Sequence, residues 1–220
     1  MKSNQARTKV NKSKWVRWAK IKIDFTLVAR LKNRCSKLPL LPQEKMVYTK
    51  LVYRPLKVGS RCWGCDKNCL ECSEPEKIEH TLLHCTTPAI VWHLLLHWTK
   101  EAWEVEGLTP IHSTTTCLLA TDAKGAPLPK WWALLQKIAL RLLWNDYSMD
   151  KFGDSGRANL DDLAARIGSD FRGRVIGDCY KHKTQNRERY WQQVEDKWGP
   201  VVAMYEPGRH TCILPQEKPS

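Results

Sequence analysis

Two closely spaced pairs of cysteines restrict the fold of this chain more than any other feature of its sequence. Cys62 and Cys65 form the first Cys-x2-Cys unit, Cys69 and Cys72 form the second, and Cys85 follows shortly afterwards. A Cys-x2-Cys turn presents two thiolates to the same ion, and zinc takes four nitrogen or sulfur ligands in a tetrahedron. Because such pairs in a reducing compartment indicate metal binding rather than disulfides, the sequence predicts a zinc site in this segment.

Two further residues can complete the site. His80 and Cys85 are five positions apart, or about 140° around an ideal α-helix, so the helix has to end or unwind near Cys85 for both to reach one ion. The sequence Thr86-Thr87-Pro88 predicts that break. A hydroxyl cap followed by proline at the first helical position is typical of a helix start.

The spacing leaves two ligand sets open, which share the same histidine and final cysteine. The set with Cys69 and Cys72 closes the tighter loop, and the set with Cys62 and Cys65 is also feasible. With His84 included, the segment holds seven candidate ligands, one fewer than two four-ligand sites require.

The other cysteines and the N-terminus indicate an intracellular protein. The nine cysteines are an odd number, and no secretory signal peptide precedes them. No apolar run approaches the roughly 18 to 20 residues that span a bilayer. We therefore expect a protein of the nucleus or cytoplasm with no membrane segment. Four scattered cysteines are expected to be free thiols that pack as small apolar residues: Cys35, Cys117, Cys179 and Cys212.

Positive charge is concentrated at the N-terminus. The chain has a formal net charge of +13, and residues 1–37 contain twelve Lys or Arg against the single acid Asp24, a local excess of +11. Such a segment attracts polyanions by releasing their counterions, and tryptophans among the charges can stack on bases. We expect nucleic acid, either RNA or DNA, as the partner; a solvated tail is the alternative. The predicted nucleic-acid-binding residues are Lys9, Lys12, Lys14, Trp15, Arg17 and Lys20.

Hydrophobic periodicity predicts a mainly α fold, with a small Cys-Cys-His-Cys zinc-binding module flanked by helices. Helices are expected over about 12–32, 43–54, 86–107 and 130–147, the last with Asn145 on its buried stripe, and again from Asn159 onwards. The predicted divisions are a basic helical arm (1–42), the zinc-binding module (43–106), a linker (107–129), a helical region (130–200) and a loose tail (201–220).

The cysteine segment also resembles a known family. The stretch CLECSEPEKIEHTLLHC, followed by Val91 and Trp92, is similar to the zinc-binding domain at the C-terminal end of non-LTR retrotransposon reverse transcriptases. The resemblance covers about residues 46–147 and implies a structural zinc. The pair Cys62 and Cys65 is additional to the family pattern. The implied ligands are Cys69, Cys72, His80 and Cys85, with Glu76 and Glu79 in the acidic positions.

No catalytic constellation accompanies this segment, so we expect no enzymatic activity. A reverse transcriptase needs paired aspartates on a strand-turn-strand to hold magnesium. Asp161 and Asp162 instead open a helical stripe, where acids favour the positive end of the helix dipole. His93 and His97 have a spacing that can bind metal, but their leucine neighbours favour a role in packing.

The sequence thus predicts a non-catalytic protein that binds zinc and nucleic acid, as a detached or domesticated piece of such a reverse transcriptase. The alternative is a zinc-organised protein-interaction module such as a RING-like adaptor, although the cluster lacks the eight ordered ligands of a two-zinc RING. Binding to nucleic acid that weakens steeply with salt would separate the two. The sequence does not indicate which proteins would be partners.

Overall fold

Six α-helices make up most of the part of the chain that the computed structural model describes, which is residues 25–53, 56–59, 67–153, 156–183, 198, 202–206 and 209–212. The predicted mainly α class is confirmed, with helices on both sides of the cysteine segment. The α-helices are α1 (Phe25–Ser36), α2 (Pro42–Tyr53), α3 (Thr86–Trp98), α4 (Lys100–Val105), α5 (Lys130–Phe152) and α6 (Leu160–Lys183). The structure also contains the π-helical turns π1 (His80–His84) and π2 (Thr114–Leu119) and the strands β1 (Val202–Glu206) and β2 (Arg209–Cys212).

Helix α5 is the centre of the fold. Nearly every side chain from Trp131 to Leu143 is buried, and α2 and α6 pack against it. Helix α5 is buried on all sides, including at the polar residues Gln136, Lys137 and Arg141, so the other elements of the chain gather around it. The predicted burial of Asn145 is wrong, because its neighbour Asp146 faces inward and accepts a hydrogen bond from the backbone N–H of Ala158 at 2.7 Å.

Four buried tryptophans join α5 to α3 and α4. The ring centroid of Trp103 lies 4.8 Å from that of Trp131 and 5.1 Å from that of Trp132. Trp92 packs 6.3 Å from Trp132 and donates its indole N–H to the carbonyl of Leu82 in π1 at 2.8 Å. Aromatic pairs at these separations add attraction beyond their buried area, so π1 is held directly against the main core.

The stretch expected to be a linker contributes to the core. Residues Thr115 to Leu119 of π2 are buried. The carbonyl of Thr116 accepts from the Trp132 indole at 3.0 Å, and that of Leu118 accepts from the Gln136 amide at 2.8 Å. Long side chains of α5 thus satisfy the backbone groups that burial would otherwise leave unpaired. The run of threonines therefore gives a misleading polar signal in the sequence.

A buried carboxylate ties α2 to α5 and α6. The Glu44 side chain is fully buried, and Leu41 donates its backbone N–H to it at 2.7 Å. Arg174 lies 3.3 Å from the carboxylate. The Nε atom of Arg141 lies 3.5 Å away, an ion pair rather than a hydrogen bond. Breaking such a buried pair is expected to be strongly destabilising, because one charge would lose its partner.

The end of the described chain differs from the predicted loose tail. Strands β1 and β2 form an antiparallel hairpin that pairs Val202 with Cys212. The helix expected from Asn159 is confirmed as α6, since the Asn159 side chain accepts from the Asp161 N–H at 3.0 Å. The helix predicted over 12–32 overlaps α1, but residues 1–24 lie outside the described part. None of the described helices combines the length and apolar character needed to cross a membrane.

Candidate metal centre

Four of the predicted ligands come together in one group. The ligand atoms of Cys69, Cys72, His80 and Cys85 all lie within 4.8 Å of one another. The Sγ atoms of Cys69 and Cys85 are 3.4 Å apart, and Cys72 Sγ lies 3.3 Å from His80 Nε2. Zinc–sulfur bonds of about 2.3 Å at tetrahedral angles separate two sulfur ligands by about 3.8 Å. The observed spacing therefore fits a four-coordinate metal ion.

A short turn over residues 67–76, the metal-site turn, positions the first two ligands. The backbone N–H of Cys69 donates to the carbonyl of Glu74 at 2.8 Å, and Ser73 N–H donates to the carbonyl of Cys69 at 2.9 Å. Ser73 adopts a left-handed conformation, with φ of 62°, which reverses the chain directly after Cys72. The turn points both thiols to the same side, as the Cys-x2-Cys spacing predicts.

The π-helical turn π1 brings the other two ligands together. The backbone N–H of Cys85 donates to the carbonyl of His80 at 2.8 Å, which is the i to i+5 bond that defines a π-helix. Residues five apart, which an α-helix would splay, therefore lie one above the other. Cys85 then leaves the helix with ψ of 156°. The predicted unwinding near Cys85 is confirmed, and π1 is its physical form.

The N-cap of helix α3 is not the threonine that the sequence predicts. Cys85 occupies the N-cap of α3 and makes no side-chain cap, while Thr86 and Thr87 lie inside the helix. The carboxylate of Glu71 accepts from the backbone N–H of Thr87 at 3.1 Å and from its hydroxyl at 3.2 Å. A carboxylate from the metal-site turn thus performs the capping that a local hydroxyl was expected to perform.

Glu71 also contacts one ligand directly. Its carboxylate accepts from the thiol of Cys85 at 3.0 Å and forms an ion pair with Arg157, which in turn contacts Asp150. Burial raises the pKa of Glu71, but the hydrogen bond from Cys85 and the charge of Arg157 outweigh it and hold the pKa below its usual value. Carboxylates beside metal ligands orient them, and this is the position that Glu71 occupies.

The two closest thiols differ in acidity. Burial opposes ionisation of Cys69, but hydrogen bonds from the backbone N–H groups of Cys72 and Glu71 lower its pKa below the usual value. Burial raises the pKa of Cys85, and the hydrogen bonds to Glu71 and Cys69 raise it further. Burial also lowers the pKa of His80, which favours the neutral imidazole that binds metals. Metal binding would displace the proton that Cys85 holds.

Glu76 anchors the metal-site turn to the core. Its Oε2 atom accepts from the backbone N–H of Gly59 and from the hydroxyl of Tyr147, both at 2.9 Å, and Oε1 lies 3.1 Å from Lys151 Nζ. Gly59 has φ of +47°, and a Cβ there would lie 2.7 Å from the Glu76 side chain. Only glycine fits this close approach.

Some of the remaining residues singled out in the sequence lie outside the described part of the chain, and the others can be placed in the structure. Cys62 and Cys65 lie outside the described residues, so the second ligand set stays a prediction, as does the basic arm that carries Lys9, Lys12, Lys14, Trp15, Arg17 and Lys20. His93 and His97 are exposed on α3, so the expectation that they pack among the neighbouring leucines is wrong. Cys35 and Cys117 are buried free thiols, as predicted.

Sequence reasoning missed the residues that support the four ligands. Glu71, Arg157, Tyr147 and Lys151 all contact the site segment, and the last three come from far along the chain. Spacing carries no signal for such contacts, because they form only after α5 packs on the turn. The acidic stretch around Cys72 was the one available indication, since two of its carboxylates make these bonds.

The geometry defines a group of three sulfur ligands and one nitrogen ligand that is suited to a metal ion. Comparison with known proteins adds nothing further. No family model, curated protein or solved structure matches this chain. The resemblance to retrotransposon reverse transcriptases therefore stays a prediction drawn from the motif.

Proposed function

We propose that this chain is a non-catalytic protein that binds zinc and nucleic acid, related to the C-terminal zinc-binding region of a non-LTR retrotransposon reverse transcriptase. The single observation that carries the proposal is the convergence of three thiols and one imidazole from a turn, a π-helix and a helix cap. The motif resemblance supplies the family.

The donor set favours zinc over other common metals. Thiolates select soft or borderline ions, and a compact S3N group is typical of structural zinc sites. Four protein ligands leave no position open for water. The ion would therefore stabilise the link between the metal-site turn and α3 rather than activate a substrate.

Exposed lysines on the first two helices support binding to nucleic acid. Among residues 25–53 and 56–59, the only carboxylate is Glu44, which is buried and paired with arginines. The lysines of this region that face solvent are Lys32, Lys37, Lys45, Lys50 and Lys57. They extend the positive charge of residues 1–37 into the folded region, where it can neutralise phosphates.

A salt titration tests this function. Binding of single-stranded RNA and duplex DNA is measured over a range of salt concentrations for the intact chain, for a chain lacking residues 1–14, and for a Lys45→Gln/Lys50→Gln double variant. If six cations meet phosphates, the log–log slope is on the order of −4 for a single strand and −5 for a duplex. Both changes should make the slope shallower, whereas Lys124→Gln, an exposed lysine between π2 and α5, should not.

The same titration identifies the alternative. Absence of binding to either nucleic acid at low salt would overturn the proposed function and favour a zinc-organised protein-interaction module. Exposed apolar side chains such as Val105 and Leu70, which are 74% and 58% exposed, would then be the first surface to examine.

A further inference from the structure

Three histidines outside the four-ligand group lie close together. His84 comes from π1, His93 from α3, and His112 from the loop before π2. The ring centroid of His112 lies 4.7 Å from that of His93 and 6.5 Å from that of His84. Three separate elements thus bring imidazoles to one place, and neither the zinc nor the nucleic-acid proposal uses them.

The ring separations are close to those of imidazoles around one metal ion. A zinc–nitrogen bond of about 2.0 to 2.1 Å places each centroid about 3.2 Å from the ion, and tetrahedral angles then separate neighbouring centroids by about 5.2 Å. The two observed distances lie on either side of this value. The longer gap has to be closed by rotation of the His84 side chain, which is exposed and is therefore not held in place by core packing.

The hydrogen bonds of these rings leave nitrogen atoms available. His93 Nδ1 lies 2.9 Å from the carbonyl of Ala89, so this nitrogen donates and Nε2 is the free acceptor. The Nε2 atom of His112 is buried and has no hydrogen-bond partner among the described residues. An unpartnered buried nitrogen is unfavourable, and a metal ion would satisfy it.

The charge state of the cluster also suits a cation. Burial lowers the pKa of His112, and the neighbouring His93 and His84 lower it further. Neutral imidazole is the form that binds metal. Each protonated histidine would repel the others, whereas one shared ion would hold all three.

We propose that His84, His93 and His112 form a second metal site, which takes a divalent transition-metal ion of the zinc, nickel or copper class. Three imidazoles leave a fourth position open, so the ion is exchangeable, unlike the enclosed ion of the Cys3His group. Its ligands tie the loop before π2 to π1 and α3. Since His84 directly precedes the ligand Cys85, the two sites are neighbours along π1.

Cobalt(II) titration of the full-length chain tests this proposal, because thiolate ligands give an intense charge-transfer absorption that imidazole ligands do not give. The titration uses a Cys62→Ser/Cys65→Ser variant of the chain, so that the Cys3His group is the expected thiolate site. The first equivalent should produce the charge-transfer band. The second should add only the weaker visible bands of a nitrogen-ligated ion.

Two variants decide the assignment. His93→Gln should weaken the second binding event by at least about tenfold, and His93→Gln/His112→Gln should abolish it. Both should keep the charge-transfer band, which also shows that they fold. His97→Gln, exposed one turn further along α3, should keep both events. The proposal is overturned if the chain binds no second cobalt ion even at millimolar concentration. It is also overturned if the double variant binds the second ion unchanged.

Discussion

The hydroxyl of Tyr147, in the middle of the fold, donates to the carboxylate of Glu76, in the metal-site turn, at 2.9 Å. The same oxygen accepts from the backbone of Gly59, so one buried carboxylate joins three parts of the chain. The turn is therefore fastened to the core by protein contacts alone. The metal ion is expected to order the ligands themselves rather than to create the fold of the whole chain.

Substitutions of Tyr147 and Glu76 should lower the free energy of unfolding by different amounts. Tyr147→Phe removes one hydrogen bond and should lower the free energy of unfolding by about 1 kcal/mol. Glu76→Gln removes the charge that pairs with the buried Lys151 and should lower it by about 3 kcal/mol. Denaturant unfolding of metal-loaded protein measures both. Glu104→Gln, in the exposed pair with Lys100, is the control and should change stability by less than about 0.5 kcal/mol. Equal effects at Glu76 and Glu104 would contradict the anchoring role of Glu76.

Removal of the metal should loosen one segment. Purified under reducing conditions, the chain should contain one tightly bound zinc, and a chelator should expose the backbone amides of residues 67–85 to hydrogen exchange. The α5 amides should stay protected, since tryptophan packing and ion pairs hold that helix. Mass spectrometry measures the zinc content, and hydrogen-exchange mapping shows which backbone amides chelation exposes. Protein without zinc, or exchange unaffected by chelation, would contradict this expectation.

The two cysteine pairs can be told apart by substitution. Cys72→Ser should abolish zinc retention, because Cys72 Sγ lies 3.3 Å from His80 Nε2 within the four-ligand group. Cys62→Ser should leave one zinc bound. Zinc content after gel filtration measures the difference. The ligand assignment is reversed if Cys62→Ser loses the metal while Cys69→Ser keeps it. A second zinc that is lost in Cys62→Ser/Cys65→Ser but kept in His93→Gln/His112→Gln would bring Cys62 and Cys65 into a site of their own.

Lys137 should make stability depend on pH. Burial lowers its pKa from 10.5 to about 8. Between these values the unfolded chain binds more protons at this side chain than the folded chain does, so its contribution to stability rises with pH. Below pH 8 the penalty is present in full, and it is about 3 kcal/mol from the size of the shift. The stability of wild type relative to Lys137→Met should therefore increase by about that amount from pH 7 to pH 10.5.

A matched variant on the same helix tests the Lys137 effect. Lys130 is exposed at the start of α5, and Lys130→Met should show a stability difference that stays constant over this pH range. Denaturant unfolding at several pH values, with the same metal content in every sample, provides the comparison. If the stability difference between wild type and Lys137→Met did not change with pH, burial would not be lowering the pKa of Lys137.

Several features of this protein follow from its sequence alone. The Cys-x2-Cys spacing, with a histidine and cysteine five apart, reduced the candidates to two ligand sets that share His80 and Cys85, because ligand spacing is a local property. The family resemblance favoured the set with Cys69 and Cys72, which is the set that converges. Helix α5 was predictable from the spacing of its apolar residues, since it has too much apolar surface to remain exposed. The end of α2 was predictable from Pro55. The cap of α6 at Asn159 followed from residue type, since its side chain bonds its own helix start.

Only the tertiary structure decided which hydrogen-bond partners the buried polar groups of these elements find. The threonines of π2 are buried because Trp132 and Gln136 of α5 bond their backbone, and no local pattern reveals such donors. Helix α3 is capped by Glu71, which is distant in sequence, rather than by its own threonine. The three imidazoles around His112 meet because π1, α3 and a loop pack together. Spacing determines what a segment can present, whereas the partners of buried polar groups depend on which elements packing places beside them.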